Sequence, residues 1–467
     1  MIKKIKIYIT LAAVAFSSVS CLDKYPEDAI PEGDAIRTVE EANQAVIGIY
    51  AYMKNPNLYS GLLTLLPDLQ ADLAYAVEGY TNTYGNIWRW DILPTNTEVE
   101  AVYGTLNALI GKCNFLLERI AVLEQEVDDE DYEKLQQFKG EALFARALSY
   151  SDLIKMYCKA YDPATAADEL GVVLVSSYSN AGTLKRASLK DSYQFVLDDL
   201  AQSATCLKPD ENENDESYYD TPYFTIYAVN ALYARVYLNM QEWDKAIEYA
   251  SKVIDSRKFK LSSTTEMIDS ETSYYQYMWQ YDHSTETIWK VGFTTTSYGG
   301  SLGQIFFNYD FNSFKPDYVP AEWVLNLYAD TDLRATTFFQ FYRTGYEHGL
   351  QWPLLAKYFG NQEFYEQNIL HVTMPKVFRL SEQYLIRAEA YCQKSNPEYG
   401  KGANDLTTLR QARYSNYGSA SLTEENWFKE ISEERVRELY MEGFRLNDLK
   451  RWGQQGLVDG FTRCLLY

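Results

Sequence analysis

Cysteine and histidine are scarce in this 467-residue chain, which has 6 cysteines and 3 histidines. The cysteines after Cys21 are widely spaced and form no C-x-x-C pair, so the sequence indicates neither a disulfide framework nor a zinc or iron–sulfur site. We therefore expect no metal and no cofactor. After residue 20 no stretch offers about 18 consecutive apolar residues, the length that spans a bilayer, and no Pro/Gly/Ser-rich linker divides the chain.

Basic residues are outnumbered, because 43 Lys and Arg stand against 65 Asp and Glu and give a net charge of −22. An acidic surface repels phosphate backbones and gains nothing from counterion release, so nucleic acid is not expected as a partner. Tyrosine, by contrast, is abundant, with 41 residues beside 9 Trp and 21 Phe. Such rings pack cores, and they also suit ligands that are half apolar and half hydroxylated, as sugars are.

Residues 1–20 have the pattern of an export signal. Lys3, Lys4 and Lys6 precede a short apolar stretch, and small residues then lead directly to Cys21. This order resembles a bacterial lipoprotein signal, in which the cysteine becomes the acylated N-terminus. An ordinary secretory peptide or a buried N-terminal helix are the alternatives. Two or more acyl chains hold a protein at a membrane, so the signal predicts a tethered chain.

Helix start signals recur along the chain, each a residue that can cap the first turn. The predicted starts stand at Thr38, Thr97, Asp128, Ser188 and Thr221, the last followed by a proline suited to the first helical position. Residues 286–293 have instead the composition of a short strand.

Alanine and aromatic residues alternate at helical spacing over about 34 residues, from Ala231 and Ala234 through Trp243 to Ala246 and Ala250. This pattern is typical of a tetratricopeptide unit, in which small residues let two helices approach closely. A looser copy follows at 384–409, and a third would pair the helices near residues 157 and 188. We predict an all-α fold of tetratricopeptide-like helix pairs within 38–256 and 380–453. A loop-rich insertion at about 260–375 and a few short strands complete it.

Flat aromatic rings beside amide and guanidinium groups suggest a sugar-binding surface within this scaffold. Trp88-Arg89-Trp90 is the densest example. The candidate ligand residues are Asn82, Tyr84, Trp88, Trp90, Asn96, Trp289, Tyr298 and Trp323. A position in the core is the alternative for any one tryptophan, since tryptophan is highly buried on average.

Two other function classes stay open. A repeat surface can bind peptides, so the chain could be a protein–protein scaffold at the cell surface. Gly299 to Gly303 matches G-x-S-x-G around Ser301, with Asp330 and His371 downstream, which allows a surface hydrolase. A nucleophile elbow needs a strand before the serine and a helix after it, and the helical pairs elsewhere in the chain argue against that setting.

The segment 431–453 is the most specific internal sequence. Its acids and arginines are spaced one helical turn apart, Gly443 stands where a helix would end, and Trp452 offers an apolar anchor. We expect a charged, partly buried latch that docks a terminal helix onto the scaffold.

Four features together resemble the SusD/RagB outer-membrane nutrient-uptake lipoproteins. They are Cys21 with acids behind it, GEALFARA at 140–147, FRLSEQYL at 378–385 and the signature at 431–453. The resemblance implies one SusD-like helical domain over 21–467, of which 21–36 is a tether, lipid-anchored through Cys21 in the outer membrane and facing the exterior. It implies an oligosaccharide or sometimes a peptide ligand, no catalysis, and a SusC-like TonB-dependent barrel transporter as partner.

Overall fold

A computed structural model describes residues 35–78, 81–93, 95–178, 184–208, 221–309, 311–346 and 349–458. The signal at 1–20, Cys21 and most of the tether predicted at 21–36 lie outside the described residues. Within the described ranges the chain is mostly helical, which confirms the all-α prediction. No helix in these ranges combines the length and the apolar character that a membrane span requires.

The helices follow in this order: α1 (Val39–Met53), α2 (Leu62–Gln70), α3 (Gly85–Trp88), α4 (Thr97–Leu123), α5 (Asp129–Tyr157), α6 (Leu189–Cys206), α7 (Ile226–Asn239), α8 (Trp243–Ile254), α9 (Tyr274–Gln280), α10 (Gln304–Phe307), α11 (Glu322–Leu325), α12 (Arg334–Phe338), α13 (Gln362–Tyr365), α14 (Leu380–Gln393), α15 (Tyr399–Gln411), α16 (Trp427–Leu439) and α17 (Arg445–Gln454). The short strands are β1 (Ala74–Ala76), β2 (Leu170–Val173), β3 (Arg186–Ser188), β4 (Thr287–Lys290), β5 (Tyr318–Pro320), β6 (Phe339–Gln340), β7 (Leu354–Leu355) and β8 (Lys376–Arg379).

Three of the predicted helix starts are confirmed with their caps. Thr38 Oγ1 accepts the Glu41 N–H at 3.2 Å, and the Glu41 carboxylate reaches back to the Thr38 N–H, which completes a capping box at α1. Asp128 and Ser188 each accept from the N–H three residues later and so cap α5 and α6.

The other two starts are displaced. Thr97 is the first residue of α4 rather than its cap, and the preceding Asn96 uses its side chain to accept the Leu93 N–H. Helix α7 begins after Thr225, whose hydroxyl caps it, and not at the predicted Thr221. The carbonyl of Pro222 accepts the Trp289 indole N–H at 2.8 Å, which holds that proline against strand β4 ahead of the helix.

Helices α7, α8 and α14 stack through small residues, as the alanine pattern predicts. Ala234, Ala246, Ala250 and Ala390 belong to one buried cluster that also contains Leu238 and Ile386, and Trp243 packs against it. Helix α14, which opens the second predicted repeat unit, therefore packs directly against α8, which closes the first unit.

The third predicted pair, α5 and α6, is held by a glycine contact and an ion pair. A Cβ added to Gly140 would lie 2.8 Å from Cys206 Cβ, so only glycine allows this approach without a shift. Arg146 donates two hydrogen bonds to Asp199 and one to Asn114, all buried, which ties α4, α5 and α6 together. The motif at 140–147 thus acts in the scaffold.

The strands form only two-stranded antiparallel pairs within the described ranges. Strand β4, inside the region predicted as a strand, pairs with β8 at the start of α14. Strand β1 pairs with β5, so that residues 74–76 lie beside residues 318–320. A second hydrophobic core, separate from that of the helix pairs, lies beneath this pairing and supports the loop-rich face.

A buried ion network joins this face to the C-terminal signature. Glu438 accepts from Arg379 at 2.7 Å, from Arg413 at 2.9 Å and from Arg334 at 3.0 Å, and none of these side chains is more than 1% exposed. Burial alone would raise the pKa of Glu438, but the charges of Arg413 and Arg379 hold it well below its usual range. The carboxylate is therefore ionised and fully paired.

The second half of the signature also docks onto the scaffold, although Arg445 and Asp448, expected in one charged patch, have separate partners, Arg445 pairing with Asp72. Asp448 pairs with Arg435 and Arg451, and Arg451 and the Trp452 indole both donate to the buried Glu389 of α14. Gly443 follows α16 with φ of 83°, a conformation in which glycine is favoured. These contacts confirm the structural interpretation of this segment as a latch.

Candidate functional site

Three tryptophans predicted for the site meet at one short segment that begins with the last residue of α2. Their indole N–H groups donate to the carbonyl oxygen of every second residue of this segment: Trp90 to Gln70 at 2.6 Å, Trp323 to Asp72 at 2.7 Å, and Trp88 to Ala74 at 3.0 Å. We call Trp88, Trp90, Trp323 and the neighbouring Tyr75 the indole platform. The hydrogen bonds fix the polar edge of each indole, so the orientation of the rings is set before any ligand arrives.

The pairing of β1 with β5 brings these residues together from distant parts of the chain. Ala74 stands opposite Pro320, and Trp323 follows in α11 just after β5. The indole N–H of Trp352, from a later part of the chain, donates to the Pro320 carbonyl at 2.8 Å and so supports β5. The platform therefore rests on strand pairing rather than on a free loop.

The segment 81–90, which contains α3 and carries Trp88 and Trp90, is strained and anchored. Asn82, Tyr84 and Trp90 have φ of 55°, 59° and 63°, the left-handed region that non-glycine residues rarely adopt. Asp317 holds the start of the segment by accepting from the Thr81 hydroxyl at 2.6 Å and from the Asn82 N–H at 3.0 Å. Strain of this kind persists only where the surroundings enforce it, and it clusters at functional sites.

Polar groups stand beside the rings. The Arg89 guanidinium donates to the side-chain oxygens of Asn86 at 2.7 Å and Asn82 at 3.3 Å, and all three side chains are exposed. Tyr84 is half-buried, and burial together with the charge of Glu98 raises the pKa of its hydroxyl, which therefore stays protonated at neutral pH. The site thus offers amide, guanidinium and hydroxyl groups next to apolar ring surface.

Tyr75 and Trp90 are each 42% exposed, whereas Trp88 and Trp323 are half-buried. Tyr75 was not among the residues predicted from the sequence. In a chain with 41 tyrosines, nothing local distinguishes it, and only its position opposite Val319 in the strand pair places it here. The arrangement presents apolar ring surface to solvent.

Three other predicted residues have different positions. Trp289 is fully buried in strand β4, where its ring contacts Tyr59 and Phe224, so it belongs to the core and we remove it from the candidate site. Tyr298 is 45% exposed and its ring lies against Phe364. Asn96 uses its side-chain oxygen to hold the turn at Leu93, as described above.

The G-x-S-x-G match is explained by close packing. A Cβ on Gly299 would lie 2.5 Å from the Lys54 carbonyl oxygen, and one on Gly300 would lie 2.6 Å from that of Ser60. Strand β4 ends at Lys290, well before Ser301, and the His371 ring stacks on Phe307. Across the ranges that the structure describes, no hydrogen bond joins the side chains of Ser301, Asp330 and His371.

Metal-ligating residues do not gather at the platform or elsewhere in the described part of the chain, which contains no group of three or more His, Cys, Asp or Glu arranged to hold an ion.

Comparison with known proteins identifies the family. Residues 22–238 match a family model described as "Starch-binding associating with outer membrane", and residues 342–461 match the model of the SusD family. The chain is 22% identical to the SusD-like protein P25 of Formosa agariphila, over 97% of this chain and 90% of that protein.

Solved structures share the fold. A SusD superfamily protein from Bacteroides thetaiotaomicron superposes with a TM-score of 0.75 at 23% identity, covering 89% of each chain. The surface glycan-binding protein A of Bacteroides fluxus superposes with a TM-score of 0.66 at 18% identity, covering 90% of each chain. Together with the two family models, these similarities agree with the helical scaffold. The chain belongs to the SusD/RagB family.

Proposed function

We propose that this protein captures oligosaccharides at the cell surface through the indole platform, without catalysis, and delivers them to a SusC-like TonB-dependent transporter. In this proposal a lipid anchor at Cys21 holds it on the outer membrane, facing the exterior. The observation that carries the proposal is the set of three indoles tied by their N–H groups to the carbonyls of Gln70, Asp72 and Ala74. Fixed aromatic surface beside amide and guanidinium donors suits the C–H faces and hydroxyls of a sugar.

Two further observations support this choice over a peptide-binding scaffold. A neighbour with the same fold is described as a surface glycan-binding protein. In addition, the tetratricopeptide-like pair α7–α8 buries its small-residue surface against α14 of the same chain, so this surface is already occupied. A peptide would need some other face.

Binding to a glycan array, followed by calorimetric titration of the glycan that binds, tests the capture step. Replacing both Tyr75 and Trp90 by alanine should weaken binding about 30-fold or more, since truncating an aromatic contact residue costs about 1–2 kcal/mol each. Tyr132→Ala is the matched control, because Tyr132 is also 42% exposed but lies on scaffold helix α5. Equal affinity of the double variant and the control would remove the platform from the site.

Membrane fractionation with a radiolabelled fatty acid tests the anchor. The unchanged protein should carry the label and sediment with the outer membrane, since two or more acyl chains give stable attachment. Cys21→Ala should lose the label and the membrane association, whereas Cys206→Ala, which alters a cysteine in α6, should keep both. An unlabelled wild-type protein would contradict the anchor.

Purification of the native protein from gently solubilised membranes tests the partner. A TonB-dependent barrel should co-purify in a fixed ratio, and incubation of the complex with its glycan should release no shortened product. Recovery of the protein alone after cross-linking, or turnover of the glycan, would contradict the proposal.

A further inference from the structure

Carboxylates outnumber basic residues around the indole platform. The segment 70–100, which carries three of the four platform residues, contains Asp72, Glu78, Asp91, Glu98 and Glu100 but only one basic residue, Arg89. The fourth platform residue, Trp323, is preceded directly by Glu322, which is exposed. The charge near the platform is therefore acidic beyond the average of the chain.

Of the two basic groups described at the platform, one is already paired with a carboxylate. Arg445 lies over the Trp323 ring at 5.2 Å, but its guanidinium forms a two-point ion pair with Asp72 at 2.8 Å. Arg89 donates to Asn82 and Asn86, which carry no charge. Of these two described guanidinium groups, an acidic sugar would thus find only that of Arg89 free of a carboxylate partner.

The remaining carboxylates have no such compensation. In the described part of the chain, no ion pair involves Asp91, Glu98 or Glu322, and Asp91 and Glu322 are exposed. Glu98 acts on the site directly, because its charge adds to the effect of burial in raising the pKa of Tyr84. By Coulomb's law a unit negative charge about 8 Å from an anion in water weakens its binding roughly twofold, so three charges at such a separation would weaken it roughly tenfold.

We infer that the platform prefers uncharged glycans to uronic-acid and sulfated ones. This inference rests on the proposed glycan-binding function and adds the chemical class of the ligand. The hydroxyl of Tyr84 and the amides of Asn82 and Asn86 suit neutral hydroxyl groups, which accept and donate hydrogen bonds without a counter-charge. Selection against anions then follows from the surrounding carboxylates, without any contact to the sugar.

Calorimetric titrations with matched pairs of oligosaccharides test the inference. Each pair shares its linkage and length, and one member is oxidised at C6, for example a β-1,4-glucan with its glucuronan and a mannan with its mannuronan. The neutral member of the pair that binds should bind at least 10-fold more tightly at 20 mM salt. The ratio should fall to about threefold or less at 500 mM, because salt screens exposed charges.

Charge-neutralising variants supply the second readout. The double variant Asp91→Asn, Glu322→Gln should reduce the neutral-to-acidic ratio by about fourfold at low salt. An acidic oligosaccharide that binds as tightly as its neutral partner, and loses that binding in Trp90→Ala, would overturn the inference while upholding glycan capture. Failure of every glycan, neutral or acidic, to bind would instead refute the proposed function itself.

Discussion

Neutralising Glu438 should destabilise the fold more than any surface charge change on the same helix. This carboxylate stands between Arg334, Arg379 and Arg413, and its two oxygens accept four hydrogen bonds of 2.7 to 3.0 Å from them. Glu438→Gln keeps the shape but removes the charge and points an NH2 group at guanidinium donors. Breaking a buried ion pair by removing one partner costs about 3–5 kcal/mol, because the other charge is left uncompensated.

The helix also provides the control. Glu433 undergoes the same chemical change in Glu433→Gln, but its side chain is 31% exposed and its nearest basic atoms, on Arg437 and Lys429, lie at 3.7 and 4.0 Å. Exposed pairs contribute about 0–1 kcal/mol. Urea unfolding followed by circular dichroism measures both variants. If the free energies of unfolding of Glu438→Gln and Glu433→Gln differ by less than about 1 kcal/mol, the ion network around Glu438 does not hold the loop-rich face to the C-terminal signature.

Two further changes test the packing and the buried charge. Gly140→Ala should lower the free energy of unfolding by about 1–3 kcal/mol, because the added methyl group clashes with Cys206. At Gly104 an added Cβ meets nothing within 4 Å, so Gly104→Ala should raise the free energy of unfolding by about 0.5–1 kcal/mol. Urea unfolding of both variants checks the opposite signs. Burial raises the pKa of Asp68 to about 7, although the N–H groups of Gly443 and Arg445 act to lower it. The contribution of protonated Asp68 to the free energy of unfolding is fully present near pH 3, below the unfolded pKa, and is lost progressively as pH rises to about 7. The free energy of unfolding of the wild type should therefore fall by up to about 4 kcal/mol relative to that of Asp68→Asn across this pH range. Unfolding curves measured at each pH check this, and a difference that stays constant would contradict the raised pKa of Asp68.

The helical scaffold was predictable because its signals are local. Caps such as Thr38 and Ser188 lie within one turn of the N–H groups they accept from. The alanines of α7 and α8 recur at helical spacing, and their small side chains indicate that the two helices pack closely. At Thr221 the displaced start is accompanied by a long-range contact, in which the Pro222 carbonyl accepts the Trp289 indole N–H. At Thr97 the shift is one residue and the contact beside it is local, from the Leu93 N–H to the Asn96 side chain.

The loop-rich face and its charges were less predictable because their contacts are long-range. The one-turn spacing of Glu434, Arg435 and Glu438 predicts acids and arginines that interlock along one helix face. In the structure Glu434 does pair with Arg437 on the same helix, but Glu438 pairs with arginines from α12, from β8 and from the segment just after α15. Local spacing along the sequence contains no signal for pairings between residues so far apart in the chain.

The candidate site shows the same division. The sequence pointed to Trp88 and Trp90 through their density of rings and polar groups, and Trp323 joins them only through the pairing of β1 with β5. Trp289 matched the same composition, but four consecutive buried residues in β4 place it in the core. Ring content alone therefore does not separate a ligand surface from a hydrophobic core.

The central claim is that sugar binds on the indole platform, and a crystal structure of the protein with the oligosaccharide selected by the glycan array tests it most directly. Our account predicts a sugar ring in contact with Trp90 and Tyr75, with hydroxyl groups near Asn82, Asn86 or Arg89. Sugar density elsewhere, for example against Tyr298, with the platform bare would contradict it.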